Sequence, residues 1–195
     1  MEPVLLNDRL AFTPKFKAYS RAPPTDARSQ ELSRAIEAAA TEEERRRLEA
    51  EYIRTGGWNL DLKAKNTITT IGYNSIGNRL TNQGTYSSAY FPYFAWSNGT
   101  SAPSISDTAT TFYADGSAWG TKAVTTIDAF DVLNLKQTWE CFLSSTDNGV
   151  PSITKFALMN ATPGTVMFNS VIFPALSKTT TIQRWLVYSL GMSQA

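Results

Sequence analysis

The sequence contains no histidine and a single cysteine, Cys141. The first absence excludes Ser–His–Asp and Cys–His catalysis, the HExxH metalloproteases, histidine metal centres and a histidine pH switch. The second excludes an internal disulfide framework and a cysteine-rich zinc site. Net charge is nearly missing as well. Lys+Arg 18 against Asp+Glu 17 leaves +1, so no field over the whole chain recruits nucleic acid or anionic lipid. No apolar run approaches the ~18 residues of a membrane-spanning helix. The opening residues, Met1 to Asp8, bring acids early and have no basic stretch followed by an apolar one, so no secretory signal is expected. The sequons at Asn98 and Asn160 then read as turn chemistry.

What is present is a globular composition over 195 residues, 42% hydrophobic and 18% charged, too apolar for wholesale disorder. The charge is unevenly placed. Residues 1–65 hold 12 of the 18 basic groups and 11 of the 17 acidic ones, and the remaining two thirds are rich in Ser, Thr and aromatics instead. Such a shift marks an architectural boundary, placed near Gly56-Gly57. Three segments are expected: an extended N-terminal arm over 1–24, a charged helical segment over 25–57, and a β-sandwich body over 58–195.

In the arm, Pro3, Pro14 and Pro23-Pro24 break the chain into extended pieces. Phe12, Phe16 and Tyr19 are large apolar groups that such a segment cannot bury by itself, so they are expected to dock on a neighbouring subunit. Thr25 or Asp26 can cap a first helix with Leu32 and Ile36 on one face. Thr41-Glu42-Glu43-Glu44 is a capping box that starts a second helix or restarts the same one. Its Glu42–Glu44 and Arg45–Arg47 runs stand at supporting i+3 and i+4 spacings, Leu48 and Tyr52 form a narrow apolar stripe, and Gly56-Gly57 offers a left-handed stop. Leu32, Ile36, Leu48 and Tyr52 are the expected helical contact face. The interleaved glutamates nearly neutralise the arginine triplet, so a solvated face rather than nucleic-acid binding is expected.

From Trp58 onward the period changes to 2. Strands are expected over 67–71, 90–96, 121–130, 137–144, 152–159, 165–173 and 180–190. Turn signals lie at Asn98-Gly99, Asp115-Gly116, Asp147-Asn148-Gly149 and Pro163-Gly164. Short strands rich in β-branched and aromatic residues argue for a mainly β fold, an antiparallel β-sandwich or jelly-roll-like body.

Little in this body points to chemistry. Asp128, Asp131 and Glu140 are its carboxylate candidates, and the two aspartates sit where a strand gives way to a turn. Neither a phosphate-binding glycine motif nor a calcium-loop spacing occurs. Cys141 shares a strand face with Trp139 and Leu143 and reads as a buried hydrophobe. Aromatic rings cluster at 86–96 with Trp119 following. Tyr90, Tyr93, Trp96 and Trp119 are candidates for stacking on sugars, set against core packing of the same rings.

Several motifs follow in order. Asn66-Thr67-Ile68-Thr69 opens the first strand. Tyr93-Phe94-Ala95-Trp96-Ser97-Asn98-Gly99-Thr100-Ser101-Ala102-Pro103 runs on to Asp107-Thr108, with Ser97 where the pattern has its first glycine. Ile153-Thr154-Lys155-Phe156-Ala157-Leu158 comes next. Gly164-Thr165-Val166-Met167-Phe168 follows, then Val171-Ile172-Phe173-Pro174-Ala175-Leu176-Ser177-Lys178-Thr179, and the final strand carries Trp185. Across about residues 66–190 this order resembles that of small β-rich structural proteins of tailed bacteriophages, of the minor capsid, decoration or tail-fibre-associated type. The first 60 residues lie outside the resemblance. It implies a non-enzymatic virion component without cofactors, assembled in the host cytoplasm. Its partners would be major capsid or tail subunits and copies of itself, a trimer being one option. Neither a membrane nor direct nucleic-acid contact is expected. The rival expectations are a tail or fibre-attachment subunit and a carbohydrate- or receptor-binding module.

Overall fold

The computed structural model describes residues 10–65, 67–70, 72–74, 91–128, 131, 133–147, 150–161 and 166–194. Among these residues the chain is mainly β, with two antiparallel five-stranded sheets and few helices. Strands β1 (Leu10–Arg21), β2 (Asn59–Lys65), β6 (Thr126–Ile127), β7 (Lys136–Leu143) and β10 (Gln183–Gln194) form one sheet in the order β2-β1-β10-β7-β6. The other runs β3-β9-β8-β4-β5, from β3 (Thr67–Ile68), β4 (Tyr93–Ser97), β5 (Trp119–Ala123), β8 (Ser152–Met159) and β9 (Met167–Ser177). We call these sheets A and B.

Alternation decides which side chains meet. Phe16 and Ala18 of β1, Leu186, Tyr188 and Leu190 of β10, and Cys141 and Leu143 of β7 face Phe94 and Trp96 of β4, Phe156 and Leu158 of β8, and Phe168, Val171 and Phe173 of β9 in one shared core. Phe16 lies between Phe156 and Phe173, with ring centroids 4.6 and 5.2 Å away.

The expected N-terminal arm is corrected here for residues 10–21. They are β1, paired along their whole length with β10 and over Lys15–Ser20 with β2. Pro14 hid this strand. It lies beyond the reach of β2, which pairs only from Lys15 on, and at such an edge position proline's missing N–H is tolerated. The expected boundary near Gly56 is therefore not where the two-sheet body begins; the helical segment is inserted between two neighbouring strands of sheet A. The expected 121–130 strand divides at Val124-Thr125, with β5 in sheet B and β6 in sheet A.

Helices cover the outer faces. Helix α1 (Ala27–Ala38) starts at Asp26, whose carboxylate accepts the Ser29 N–H at 2.8 Å. Helix α2 (Glu42–Arg54) starts at Thr41, which accepts from Glu44 N–H at 3.1 Å, and Gly56 and Gly57 follow it with φ of 86° and 75°. Leu32, Ile36, Tyr52 and Ile53 of this hairpin bury against Phe142, with Leu48, Trp58 and Trp185 half-buried around them, on the outside of sheet A. Short α3 (Ala109–Ala114) places Ala109 and Phe112 over Ala95, Ala157, Met159 and Met167 on the outside of sheet B.

Candidate functional site

The polar groups that define the molecule lie at three seams between elements. The largest joins α2, the edge strand β5 and the turn after β7. Lys122 stands opposite Phe94 in the register, at the rim of the core. Its Nζ donates to Glu49 Oε1 at 2.6 Å, to the Phe142 carbonyl at 2.8 Å and to Asp147 Oδ2 at 3.0 Å. Glu49 Oε2 accepts from Thr125 Oγ1 at 2.8 Å, and Thr125 Oγ1 accepts the Phe142 N–H. Asp147 Oδ2 also accepts from the Ser144 N–H and hydroxyl. Glu49 is fully buried. Burial pushes its carboxyl above the usual range despite Lys122. For Lys122 the balance goes the other way: burial works against its charge, but Asp147 and Glu49 hold the ammonium above the usual lysine value. An ammonium already spending its three donors on fixed acceptors is a structural tie. A cleft of about 340 Å³ opens beside it, lined by Ile36, Arg45 and Thr146 among others.

The second seam pins the loop after β4. Lys155 Nζ bonds Asp115 Oδ2 at 2.8 Å, and Asp115 accepts from the Thr100 and Ser101 amides and the Ser101 hydroxyl. Burial raises the Asp115 carboxyl, but Lys155 and these donors outweigh it and hold it below its ordinary value. Gly99 is required here, because a Cβ would stand 2.5 Å from the Asp115 carbonyl. At the third seam Arg21 lies over the rings of Tyr52 and Trp58, 4.1 and 4.9 Å from their centroids. It donates to Thr55 Oγ1 at 3.0 Å and the Gly56 carbonyl at 2.6 Å, while Tyr52 donates to Gln183 Oε1 at 2.5 Å.

Four of the seven residues expected to contact partners are taken up internally. Phe16 and Tyr52 are fully buried, Leu32 and Ile36 are buried, and Leu48 packs inside the hairpin contact. Phe12 packs on the core edge against Tyr73, and Tyr19 stacks on Trp185 at 4.5 Å. A side chain that fills its own core has no surface to offer, so the interface expectation is corrected for Phe16, Leu32, Ile36 and Tyr52, while Phe12, Tyr19 and Leu48 are half-buried and keep part of their surface outside.

The sugar-stacking candidates are not brought together. Trp96 is in the core, Tyr93 packs toward α3, and Trp119 is exposed beside Tyr113 at 4.6 Å. Tyr90 lies outside the described residues, as does the Pro163-Gly164 turn. Of the carboxylates, Asp131 accepts from the Leu133 and Asn134 amides and the Asn134 side chain. Glu140 accepts from Thr126 Oγ1, and burial raises it. Burial also pushes the Cys141 thiol far up, out of the nucleophilic range. Among the described residues no group of three or more His, Cys, Asp or Glu is placed to hold a metal ion, and no helix is long and apolar enough to cross a membrane.

Sequence reasoning missed Glu49, Lys122, Asp147, Asp115 and Lys155 as partners. The available signal was a lysine inside each of two strand runs, Thr121-Lys122-Ala123 and Thr154-Lys155-Phe156, where a buried cation needs a counter-charge. Comparison with protein-family models, with curated proteins and with solved structures finds no match.

Proposed function

We propose that this chain is a non-enzymatic structural subunit of a bacteriophage particle, a capsid decoration, cementing or minor capsid protein. A tail or fibre-attachment role is the alternative within the same class. One observation carries the reading. The motif segments of β4, β8 and β9 are neighbours in space, with β4 far from the other two in sequence: β9, β8 and β4 are consecutive strands of sheet B. The loop of the Tyr93 motif is held by Asp115 and Lys155, the latter from the next motif. The resemblance therefore follows a folded unit rather than a set of scattered words. The ionic groups support a non-enzymatic role in the same way, since Glu49, Lys122, Asp115 and Lys155 serve as ties between elements.

The finer fold reading is an antiparallel sandwich, with both sheets closing on one core. Contacts with capsid or tail subunits and with further copies fall on exposed groups such as Ile105 and Leu133, 62% and 91% accessible, rather than on β1 or the hairpin interior. The carbohydrate-binding alternative loses its platform with Trp96 in the core. The test is immunogold labelling of gradient-purified particles with antibody against this chain, alongside its copy number per particle by quantitative mass spectrometry. Regular labelling at fixed stoichiometry is expected. Recovery of the chain only in the particle-free fraction would overturn the proposal.

A further inference from the structure

Sheet A carries a charge arrangement that the net value of +1 conceals. On β1, Lys15 and Lys17 stand directly opposite Lys65 and Lys63 of β2. Lys15, Lys17, Lys63 and Lys136 line a shallow trough of about 610 Å³ on this sheet, with Asn134 and Ser189 beside them. Lys15, Lys63 and Lys136 are exposed. None of the four trough lysines takes part in an ion pair among the described residues; the cations so used are Arg28, Arg45, Lys122, Lys155 and Arg184. Three carboxylates neighbour the face, among them exposed Asp128 beside Glu140. Asp131 pairs by backbone with Lys136 and feels its charge, and Glu140 lies two strands from Lys17 through Val187. Asp131 is engaged by turn amides and Glu140 by Thr126, and Asp128 lies beyond β7, across Thr138 and Ser189 from Lys15.

Like charges directly opposite on neighbouring strands destabilise a sheet. The fold gains nothing from this placement, whereas an external polyanion would. We propose that this face binds the phosphodiester backbone of double-stranded nucleic acid, without sequence preference. Alternate residues on a strand repeat at about 6.8 Å and neighbouring strands at about 4.8 Å, so Lys15, Lys17 and Lys63 present closely spaced positive charges to a densely charged backbone. The lining is lysine with small polar groups and no exposed ring. That chemistry reads backbone and not bases. A protein partner fits it poorly, since interface cores are depleted in lysine. The inference goes beyond the virion reading and is decided on the isolated chain.

The experiment is fluorescence anisotropy of a labelled 20-base-pair duplex of arbitrary sequence, titrated with the full chain from 50 to 200 mM salt. Four phosphate contacts predict a slope of log K against log salt of about −3.6. Lys15→Gln/Lys63→Gln should bring it to about −1.8, with an unchanged or raised melting temperature that shows the fold intact. Arg47→Gln, a basic exposed residue of the hairpin at the other end of the same sheet and outside the trough lining, should leave the slope unchanged. Any of four results overturns the proposal: no binding at 50 mM salt; the same slope in the double variant; tighter binding of a polyglutamate peptide than of the duplex; or retention on anionic phosphatidylserine vesicles in place of the duplex and dependent on Leu133, the apolar residue next to Asn134.

Discussion

Replacing Lys122 with methionine tests whether the α2 seam is a lock. The substitution keeps most of the side-chain volume and removes one ammonium. It leaves Glu49, fully buried, without the partner at 2.6 Å, and deprives the Phe142 carbonyl and Asp147 of a donor. Breaking a buried ion pair from one side costs about 3–5 kcal/mol, because the remaining charge stays buried and unpaired. Against a typical total of about 5–15 kcal/mol, that is a large fraction. Removing Glu49 as well should restore most of it, since a buried pair replaced as a whole is close to neutral.

The assay is urea unfolding followed by tryptophan fluorescence, with Trp58 and Trp185 reporting from the hairpin contact, for wild type, Lys122→Met, Glu49→Gln and the double variant. A coupling of about 2–3 kcal/mol is expected from the cycle. The pH dependence gives an independent sign. Burial already holds Glu49 above its ordinary 4.5, and loss of Lys122 raises it further. A carboxyl whose folded value is raised penalises the fold above that value and not below the unfolded one. The deficit of Lys122→Met should therefore shrink as pH falls toward 4.5. A loss below about 1 kcal/mol, or a deficit that grows on acidification, would refute the reasoning.

Three further outcomes follow from the same structure. Removing residues 1–24 takes away β1, an interior strand of sheet A, so the product should lose its cooperative melt; a soluble, cooperatively folding product would contradict that placement. Leu135 is 43% exposed and holds a φ of 46°, so Leu135→Gly should stabilise by about 0.5–1 kcal/mol, read as a rise of about 2 °C in melting temperature. Asp115→Asn should cost about 3 kcal/mol by stranding the buried Lys155. Because the Asp115 carboxyl is held below 3.8, its contribution is present above that pH and lost as pH falls through the lowered value, so the melting curves of variant and wild type should converge in acid.

Period-2 alternation was enough to read β7, β8 and β10, whose inward faces are apolar and whose ends carry turn residues. The caps at Asp26 and Thr41 were equally legible, because a cap is a local bond between residues three apart. β1 was not. Its alternation of Phe16 and Ala18 with Lys15 and Lys17 is regular, but Pro14 and the distance to its partner disguised it: β10 is more than 160 residues away in sequence. Long-range pairing also explains the misplaced interface. Phe12, Phe16, Tyr19 and Tyr52 had nothing to bury against in their own segment, and that need was met by the other end of the same chain. The ionic seams were invisible for a similar reason, since Glu49 and Lys122 are 73 residues apart.

The same segregation explains how a chain of net charge +1 can carry an unneutralised lysine face. Its inner carboxylates are spent at joints: Glu49 and Asp147 share Lys122, Asp115 meets Lys155, and Asp61 meets Arg184. One buried cation serves two acids at the first joint, so the carboxylates at these joints are spent on cations other than the trough lysines. Salt should then act differently on the two populations. Exposed lysines are screened within a Debye length of about 8 Å at 0.15 M, while buried pairs are screened far less. Raising salt to 0.5 M should abolish polyanion binding to sheet A and leave the melting temperature nearly unchanged. A melting temperature that falls steeply over the same range would mean that the seams are open to solvent, and the division between inner ties and outer lysines would not hold.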